Sequence, residues 1–253
     1  KDYFMINLPT IFRGGKKKKG QTEHLEYFSG TTCEELEEFL GNQMTMRDLL
    51  ARVMAFFDST GILSPLLGGL RHLIRLGSKH CAGNYDIILP QEIISLFCKH
   101  AIALDKVKDF QYPRTNHPES DTDQQYQIIL FTDAGEVAKQ AIAYSRRFIT
   151  KDIFSVSFLL ARNFLVKEHM STPKNELDIL YQGAEAIEAS ERNLHPWTKG
   201  KMAFTDSRVA LYWVLNQTSA LQIFQRSRVS RIRNTFTDEG GKLNLFWIKG
   251  QRN

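Results

Sequence analysis

The chain has 253 residues, of which 42% are hydrophobic and 24% charged, and this composition excludes a largely disordered or low-complexity protein. Lys and Arg number 33 against 28 Asp and Glu, and the resulting charge of +5 is compatible with a polyanionic partner without proving one. Three widely spaced cysteines, Cys33, Cys81 and Cys98, argue against a disulfide framework and favour a reducing compartment.

The first part of the chain, residues 1–108, is predicted to be mainly helical. Lysines 16–19 follow two glycines, which is typical of a solvated turn, and a phosphate-contacting loop is the alternative. Apolar residues at helical spacing predict helices over residues 33–40, 46–57, 66–81 and 90–104. Thr45 is the expected N-cap of the second of these helices, with Asp48 three residues later.

A change of pattern follows residues 109–124, which contain two prolines and no apolar periodicity and are predicted to be a linker. Short connections between the next three apolar runs predict an antiparallel meander. The predicted strands and helices after the linker are strands 126–132, 138–148 and 153–160, a helix from 172, strand 202–205, helices 207–215 and 221–234, and strand 243–248. This βββαβααβ order predicts an α/β sheet domain over residues 125–253.

Three carboxylates occupy strand ends and helix starts in this domain. Asp133 ends the first strand, Glu176 lies in the first turns of the next helix, and Asp206 ends the fourth strand. Singly they could be a turn residue, a first-turn charge and a helix cap. Open α/β sheets build their sites at such ends, and grouped acids repel one another unless a proton or cation lies among them. Together the acids therefore predict a divalent-ion site.

The sequence motifs around these acids resemble those of one known family. Four motifs carry the resemblance: Phe57-Asp58-Ser59-Thr60-Gly61-Ile62-Leu63-Ser64-Pro65, Phe131-Thr132-Asp133-Ala134, Ser171-Thr172-Pro173-Lys174-Asn175-Glu176-Leu177 and Phe204-Thr205-Asp206-Ser207. They resemble the ribonuclease H region, with the preceding connection segment, of Bel/Pao-type LTR retrotransposon polyproteins. The resemblance implies an α/β, ribonuclease H-like mixed sheet preceded by a mainly helical connection domain.

The resemblance also implies a function. It points to an endonuclease that uses Mg²⁺ or Mn²⁺ to cut the RNA strand of RNA:DNA hybrids inside a reverse transcriptase. The polymerase domain of the polyprotein would be its partner, and the protein would be intracellular, in a cytoplasmic particle or the nucleus. Asp133 would bridge two ions, with Glu176 and Asp206 holding the one on the leaving-group side. The alternative is a domesticated module with weak or no catalysis that acts in nucleic-acid binding or complex assembly.

Family members continue after the last strand into an Asn-Pro-Ala-Asp stretch that supplies a fourth acid. The printed sequence matches through residues 247–253 and stops at Asn253, before that acid. The resemblance therefore implies that this sequence binds a hybrid but cuts it slowly unless the fourth acid is supplied.

Basic residues are concentrated near the end of the chain. Between residues 221 and 253, basic residues outnumber acidic residues by five, which equals the net charge of the whole chain. The residues predicted to contact nucleic-acid phosphates are Arg226, Arg228, Arg231, Arg233, Lys16, Lys17, Lys18 and Lys19. A merely solvated basic face is an equally good interpretation.

A zinc site is a weaker alternative in the helical region. Its candidate ligands are His80, Cys81, Cys98 and His100. Their spacing matches no common zinc pattern, and burial as structural residues explains them as well.

Overall fold

The computed structural model describes residues 3–5, 32–40, 43–56, 58–107, 110–113, 126–150, 153–194, 198–216 and 221–253. The predicted lysine loop at residues 16–19 lies outside these ranges. The chain divides into two compact units, the first made of residues 1–59 and 65–114 and the second of residues 60–64 and 115–253. Within the described ranges, no helix has the length and apolar character needed to cross a bilayer.

The first unit is mainly helical, as the sequence predicts. Its elements are β1 (Tyr3–Met5), α1 (Cys33–Leu40), α2 (Met46–Met54), α3 (Ser64–Cys81), α4 (Gln91–Asp105) and β2 (Gln111–Pro113). Thr45 caps α2 through reciprocal bonds with Asp48, the two halves of a capping box. The region predicted to be a linker contains β2, which pairs antiparallel with β1. This pairing joins segments over 100 residues apart, so local sequence patterns could not predict it.

The second unit contains the predicted α/β sheet, and the βββαβααβ order is confirmed. Its elements are β3 (Tyr126–Ala134), β4 (Ala138–Phe148), β5 (Phe154–Leu165), α5 (Thr172–Leu194), β6 (Thr198–Thr205), α6 (Arg208–Asn216), α7 (Ile223–Phe236) and β7 (Leu245–Trp247), followed by a 3₁₀ turn at Gly250–Arg252. The described strands form a five-stranded sheet in the order β5-β4-β3-β6-β7.

The sheet is mixed, and its register brings two of the predicted acids together. β3 runs antiparallel to β4 but parallel to β6, and β6 is parallel to β7. Alternate residues of β3, such as Ile128 and Leu130, are fully buried in the core that also includes Leu177 of α5. Thr132 pairs with Thr205, so the carboxyl ends of β3 and β6 lie side by side.

A short segment far upstream of the sheet belongs to the same unit. The Thr60 carbonyl accepts a hydrogen bond of 2.8 Å from the Ala161 N–H of β5. Gly61 next to it has φ +83°, and a Cβ built there would lie 1.9 Å from the Ala161 carbonyl oxygen. Only glycine accommodates both the conformation and the contact. The segment 60–64, predicted to belong to the helical domain, therefore packs on the sheet.

Candidate functional site

The three predicted acids meet at the carboxyl ends of β3 and β6. Asp133 lies near the end of β3 and is exposed, Asp206 directly follows β6 and is half-buried, and Glu176 on α5 is buried. One carboxylate oxygen of each residue lies within 4.8 Å of the others. Three negative groups at this separation are stable together only when a proton or a cation is shared among them.

The plain structural roles of these acids are filled by other residues. The cap of α6 is Ser207, whose Oγ accepts a hydrogen bond of 3.2 Å from the Ala210 N–H. The turn after β3 is closed by a 2.9 Å bond from the Gly135 N–H to the Ala138 carbonyl. Asp206 and Asp133 are therefore free of these local roles, and Glu176 is too buried to be a surface charge of the first turn.

Glu176 is the least solvated of the three acids. Its Oε1 accepts a 3.1 Å bond from the Ala134 N–H, whereas Oε2 is buried and has no hydrogen-bond partner among the described residues. Burial, followed by the charge of Asp206, raises the pKa of Glu176 to about 8, and the Ala134 hydrogen bond opposes this rise. Burial and Asp133 raise the pKa of Asp206 in the same way.

The donor set fits a hard divalent cation. All three residues offer carboxylate oxygens, which Mg²⁺ and Mn²⁺ prefer, and the unsatisfied Oε2 of Glu176 needs a positive partner. A bound cation would replace the proton that the raised pKa otherwise retains on Glu176.

We expect the metal-free protein to lose stability as pH rises from about 5 to 8. Folding raises the pKa of Glu176 from 4.5 to about 8, so the folded state holds a proton that the unfolded state has released. The stabilisation is therefore complete below the unfolded pKa and disappears as pH rises through the folded value. Thermal unfolding measured across this range in EDTA should show the decline, and Glu176→Gln should flatten it. An equal slope in Glu176→Gln would contradict this assignment.

A buried ion pair holds α5 two residues after Glu176. Asp178 contacts the Lys139 ammonium, whose side chain is only 2% exposed, and accepts a 2.7 Å bond from Arg228 Nε. Burial alone would raise the pKa of Asp178, but these two cations hold it below its usual value. Because loss of one partner would leave a charge buried, at a cost of about 3–5 kcal/mol in comparable pairs, the ion pair fixes α5 on β4.

Asn175 anchors the loop that leads into α5. Its Oδ1 accepts a 3.3 Å bond from the Lys167 N–H, and its Nδ2 donates to the Met170 carbonyl at 3.1 Å. Lys139 also donates to Asn175 Oδ1, at 3.4 Å. The side chains on both sides of Glu176 in α5 are thus held by the sheet and the loop, which fixes the direction of the Glu176 carboxylate.

The end of β7 and the residues that follow it lie against the acid cluster, which local sequence patterns did not predict. Trp247 Nε1 donates a 3.0 Å bond to the Asp206 carbonyl, and the Ile248 N–H donates to the Thr205 carbonyl at 3.0 Å. Asn253 Nδ2 donates to the carbonyl of Thr132, the residue before Asp133, at 2.7 Å. We call residues 247–253 the terminal segment. The family resemblance includes residues 247–253, but their contacts with the acid cluster follow only from the pairing of β7 with β6.

The predicted phosphate-contacting arginines of α7 all have partners within the protein. Arg228 pairs with Asp178, and its guanidinium lies over the Phe224 ring. Arg231 pairs with Glu188 at 2.8 Å, while Arg233 donates to a main-chain carbonyl at the end of α6. Arg226 is exposed and also donates to the Leu221 carbonyl. Their role in nucleic-acid binding stays a prediction, and Arg226 and Arg231 are the exposed members of the four.

The candidate zinc ligands do not form a metal-binding group in the part of the chain that the structure describes. Cys81 and Cys98 are buried free thiols. Burial raises the pKa of Cys98 to about 12, which disfavours the thiolate that zinc requires. Among the described side chains, the group of three potential metal ligands that lie together is the acid cluster of Asp133, Glu176 and Asp206.

Solved structures with similar folds include ribonucleases H and a reverse transcriptase. The N-terminal RNase H domain of a Mycobacterium tuberculosis protein is 10% identical, with 51% of this chain and 86% of that chain covered and a TM-score of 0.34. RNase H1 of Halobacterium salinarum is 11% identical, with 51% and 88% covered and a TM-score of 0.32. A foamy viral protease-reverse transcriptase is 13% identical, with 86% and 34% covered and a TM-score of 0.47.

No curated protein sequence matches the chain. The sequence model of one family, described as the Pao retrotransposon-like RNaseH-like domain, matches residues 45–207. The match includes all three acids, the upstream Gly61 element and more than half of the chain. The chain therefore belongs to the family of Pao retrotransposon-like RNaseH-like domains.

Proposed function

We propose that this domain is a divalent-metal-dependent endonuclease that cleaves the RNA strand of RNA:DNA hybrids as part of a retrotransposon reverse transcriptase. The observation that carries the proposal is the convergence of Asp133, Glu176 and Asp206 within 4.8 Å at one edge of an RNase H-like sheet. A catalytic centre explains the buried, unsatisfied oxygen of Glu176 better than a binding module does, because such a group costs folding energy.

The three acids differ in exposure, and this suggests different roles. Asp133 is exposed and lies on the central strand of the sheet, so it faces incoming substrate. It is also the acid best placed to share metal ions with both Glu176 and Asp206. Glu176 is held from behind by the Ala134 N–H, and Asp206 is held through its main chain by Trp247. Divalent ions bound by these carboxylates would supply an activated water and neutralise the leaving oxygen of a phosphodiester.

The proposal is tested by cleavage of one sequence in three forms: an RNA:DNA hybrid, an RNA duplex and a DNA duplex. We expect Mg²⁺- or Mn²⁺-dependent cuts in the RNA strand of the hybrid alone, and no cleavage in EDTA. Folded protein that binds the hybrid but leaves it intact with both metals, even when the fourth acid is supplied, would favour the non-catalytic, domesticated module. Equal cleavage of all three forms would contradict the hybrid specificity.

Two exposed basic residues are the best candidates for phosphate contacts. Arg226 lies on α7, and Lys249 in the terminal segment directly precedes a residue that lies on Asp206. Each lost phosphate contact should reduce the slope of log affinity against log salt by about 0.9. We therefore expect Arg226→Gln and Lys249→Gln each to flatten this slope in hybrid-binding titrations. Arg192→Gln, an exposed arginine at the opposite end of α5 from Glu176, is the control; a slope unchanged in all three variants would remove these contacts.

A further inference from the structure

Gly250 of the terminal segment occupies an unusual place beside the acid cluster. A Cβ built on Gly250 would lie 2.8 Å from Asp206 Oδ2, closer than real Cβ contacts come. The backbone of Gly250 does not lie in the left-handed region, unlike that of Gly61, Gly83 and Gly241 among the described glycines. An alanine would therefore suit the backbone of Gly250, and the requirement for glycine comes from the carboxylate of Asp206 alone.

The terminal segment has little freedom to move away from Asp206. Trp247 and Ile248 are bonded to the main chain at the end of β6, and Asn253 is bonded to the Thr132 carbonyl of β3. The Trp247 ring also lies under the Arg208 guanidinium, 4.5 Å from its centroid. Because the segment is fixed on both sides of Gly250, a new methyl group there would displace the free end of the Asp206 side chain rather than the backbone.

We propose that Gly250 is a positioning residue that sets the orientation of the Asp206 carboxylate for metal binding, with Asn253 holding the neighbouring strand end at Asp133. This inference rests on the proposed function. The terminal segment thus bonds to the ends of both strands that carry the two aspartates and keeps their spacing constant. Neither residue touches the substrate chemistry directly; each acts through an aspartate.

The test is Mn²⁺ binding to the whole chain, measured by isothermal titration calorimetry in the unsubstituted protein and in Gly250→Ala. We expect the Mn²⁺ affinity of Gly250→Ala to fall at least tenfold. Its metal-free melting temperature should stay within about 2 °C, because the group displaced is the flexible end of a side chain. Asn253→Ala, which removes the tie to Thr132 without adding bulk, should also weaken Mn²⁺ binding, by a smaller factor.

Gly240→Ala is the matched control. Gly240 also lies beside an aspartate, but its built Cβ would lie 3.4 Å from Asp238 Oδ1, an ordinary contact with an acid that is not part of the cluster. Its Mn²⁺ affinity should equal that of the unsubstituted protein.

The possible failures are distinguishable. Unchanged Mn²⁺ affinity in Gly250→Ala, while Asp133→Asn loses binding, would overturn the positioning role and leave the metal site standing. A misfolded or strongly destabilised Gly250→Ala would show that glycine is required by the fold, which also overturns the proposal. If the unsubstituted protein binds no Mn²⁺, the proposed function fails and the inference fails with it.

Discussion

Replacing Asp133 by Asn is expected to slow single-turnover cleavage of an RNA:DNA hybrid at least about 1,000-fold, which corresponds to about 4 kcal/mol of activation free energy. The amide keeps the shape of the side chain but removes one charge from a three-carboxylate site. Asp133 is the exposed member of the cluster, so under the proposed function its loss should affect both metal binding and the face presented to substrate. Quenched-flow or manual sampling of a labelled hybrid at saturating protein gives the rate directly.

The fold should survive this substitution. Removing one of three mutually repelling charges should leave the metal-free melting temperature unchanged or raise it, and should abolish its increase on addition of Mg²⁺. Glu239→Gln, which removes one negative charge from an exposed turn of the same unit, should cleave at the unsubstituted rate. A rate for Asp133→Asn within tenfold of the unsubstituted rate would mean that the cluster is not the catalytic centre.

Gly61→Ala is expected to destabilise the second unit by about 3 kcal/mol. The left-handed conformation at φ +83° costs an alanine about 1–2 kcal/mol. The remainder comes from the Ala161 carbonyl, since a Cβ 1.9 Å from its oxygen cannot be accommodated unless the segment leaves β5. For a unit of this size the melting temperature should fall by roughly 6–12 °C, measured by calorimetry or circular dichroism.

A second glycine separates the two contributions. Gly241 has φ +78° in the same unit, but a Cβ there would meet nothing within 4 Å. Gly241→Ala should therefore cost only the conformational part, about 1–2 kcal/mol. The difference between the two variants measures the contact with Ala161, and equal losses of stability would show that this contact does not hold the segment on the sheet.

Much of the sheet could be predicted from the sequence because its signals are local. Alternating apolar residues mark β3 and β4, and short turns between them allow only antiparallel neighbours. Asp133 and Asp206 could be placed at one edge because parallel strands joined through a helix end on the same side. Glu176 could be grouped with them because it was expected in the first turns of the helix between these strands, although a single acid at such a place is ordinary.

The rest depends on contacts between distant residues. The pair of Lys139 and Asp178 joins a strand to a helix, and each residue alone is typical of an exposed surface. The close approach of Gly250 to Asp206 depends on the register that places β7 beside β6, which the sequence around Gly250 does not indicate. Gly61 lies in a region of helical patterns, and nothing near it in the sequence indicates a partner in β5.

The contact between Thr60 and Ala161 also has a consequence for the order of folding events. It closes a loop of about 100 residues, whereas the β3–β4 and β4–β5 hairpins close within a few residues, so its entropic cost is paid late. We therefore expect the segment at residues 60–64 to dock on a sheet that is already formed. Weakening the contact between Thr60 and Ala161 should raise the unfolding rate and leave the folding rate nearly unchanged. We therefore expect the upstream motif to slow the unfolding of the second unit rather than to speed its folding.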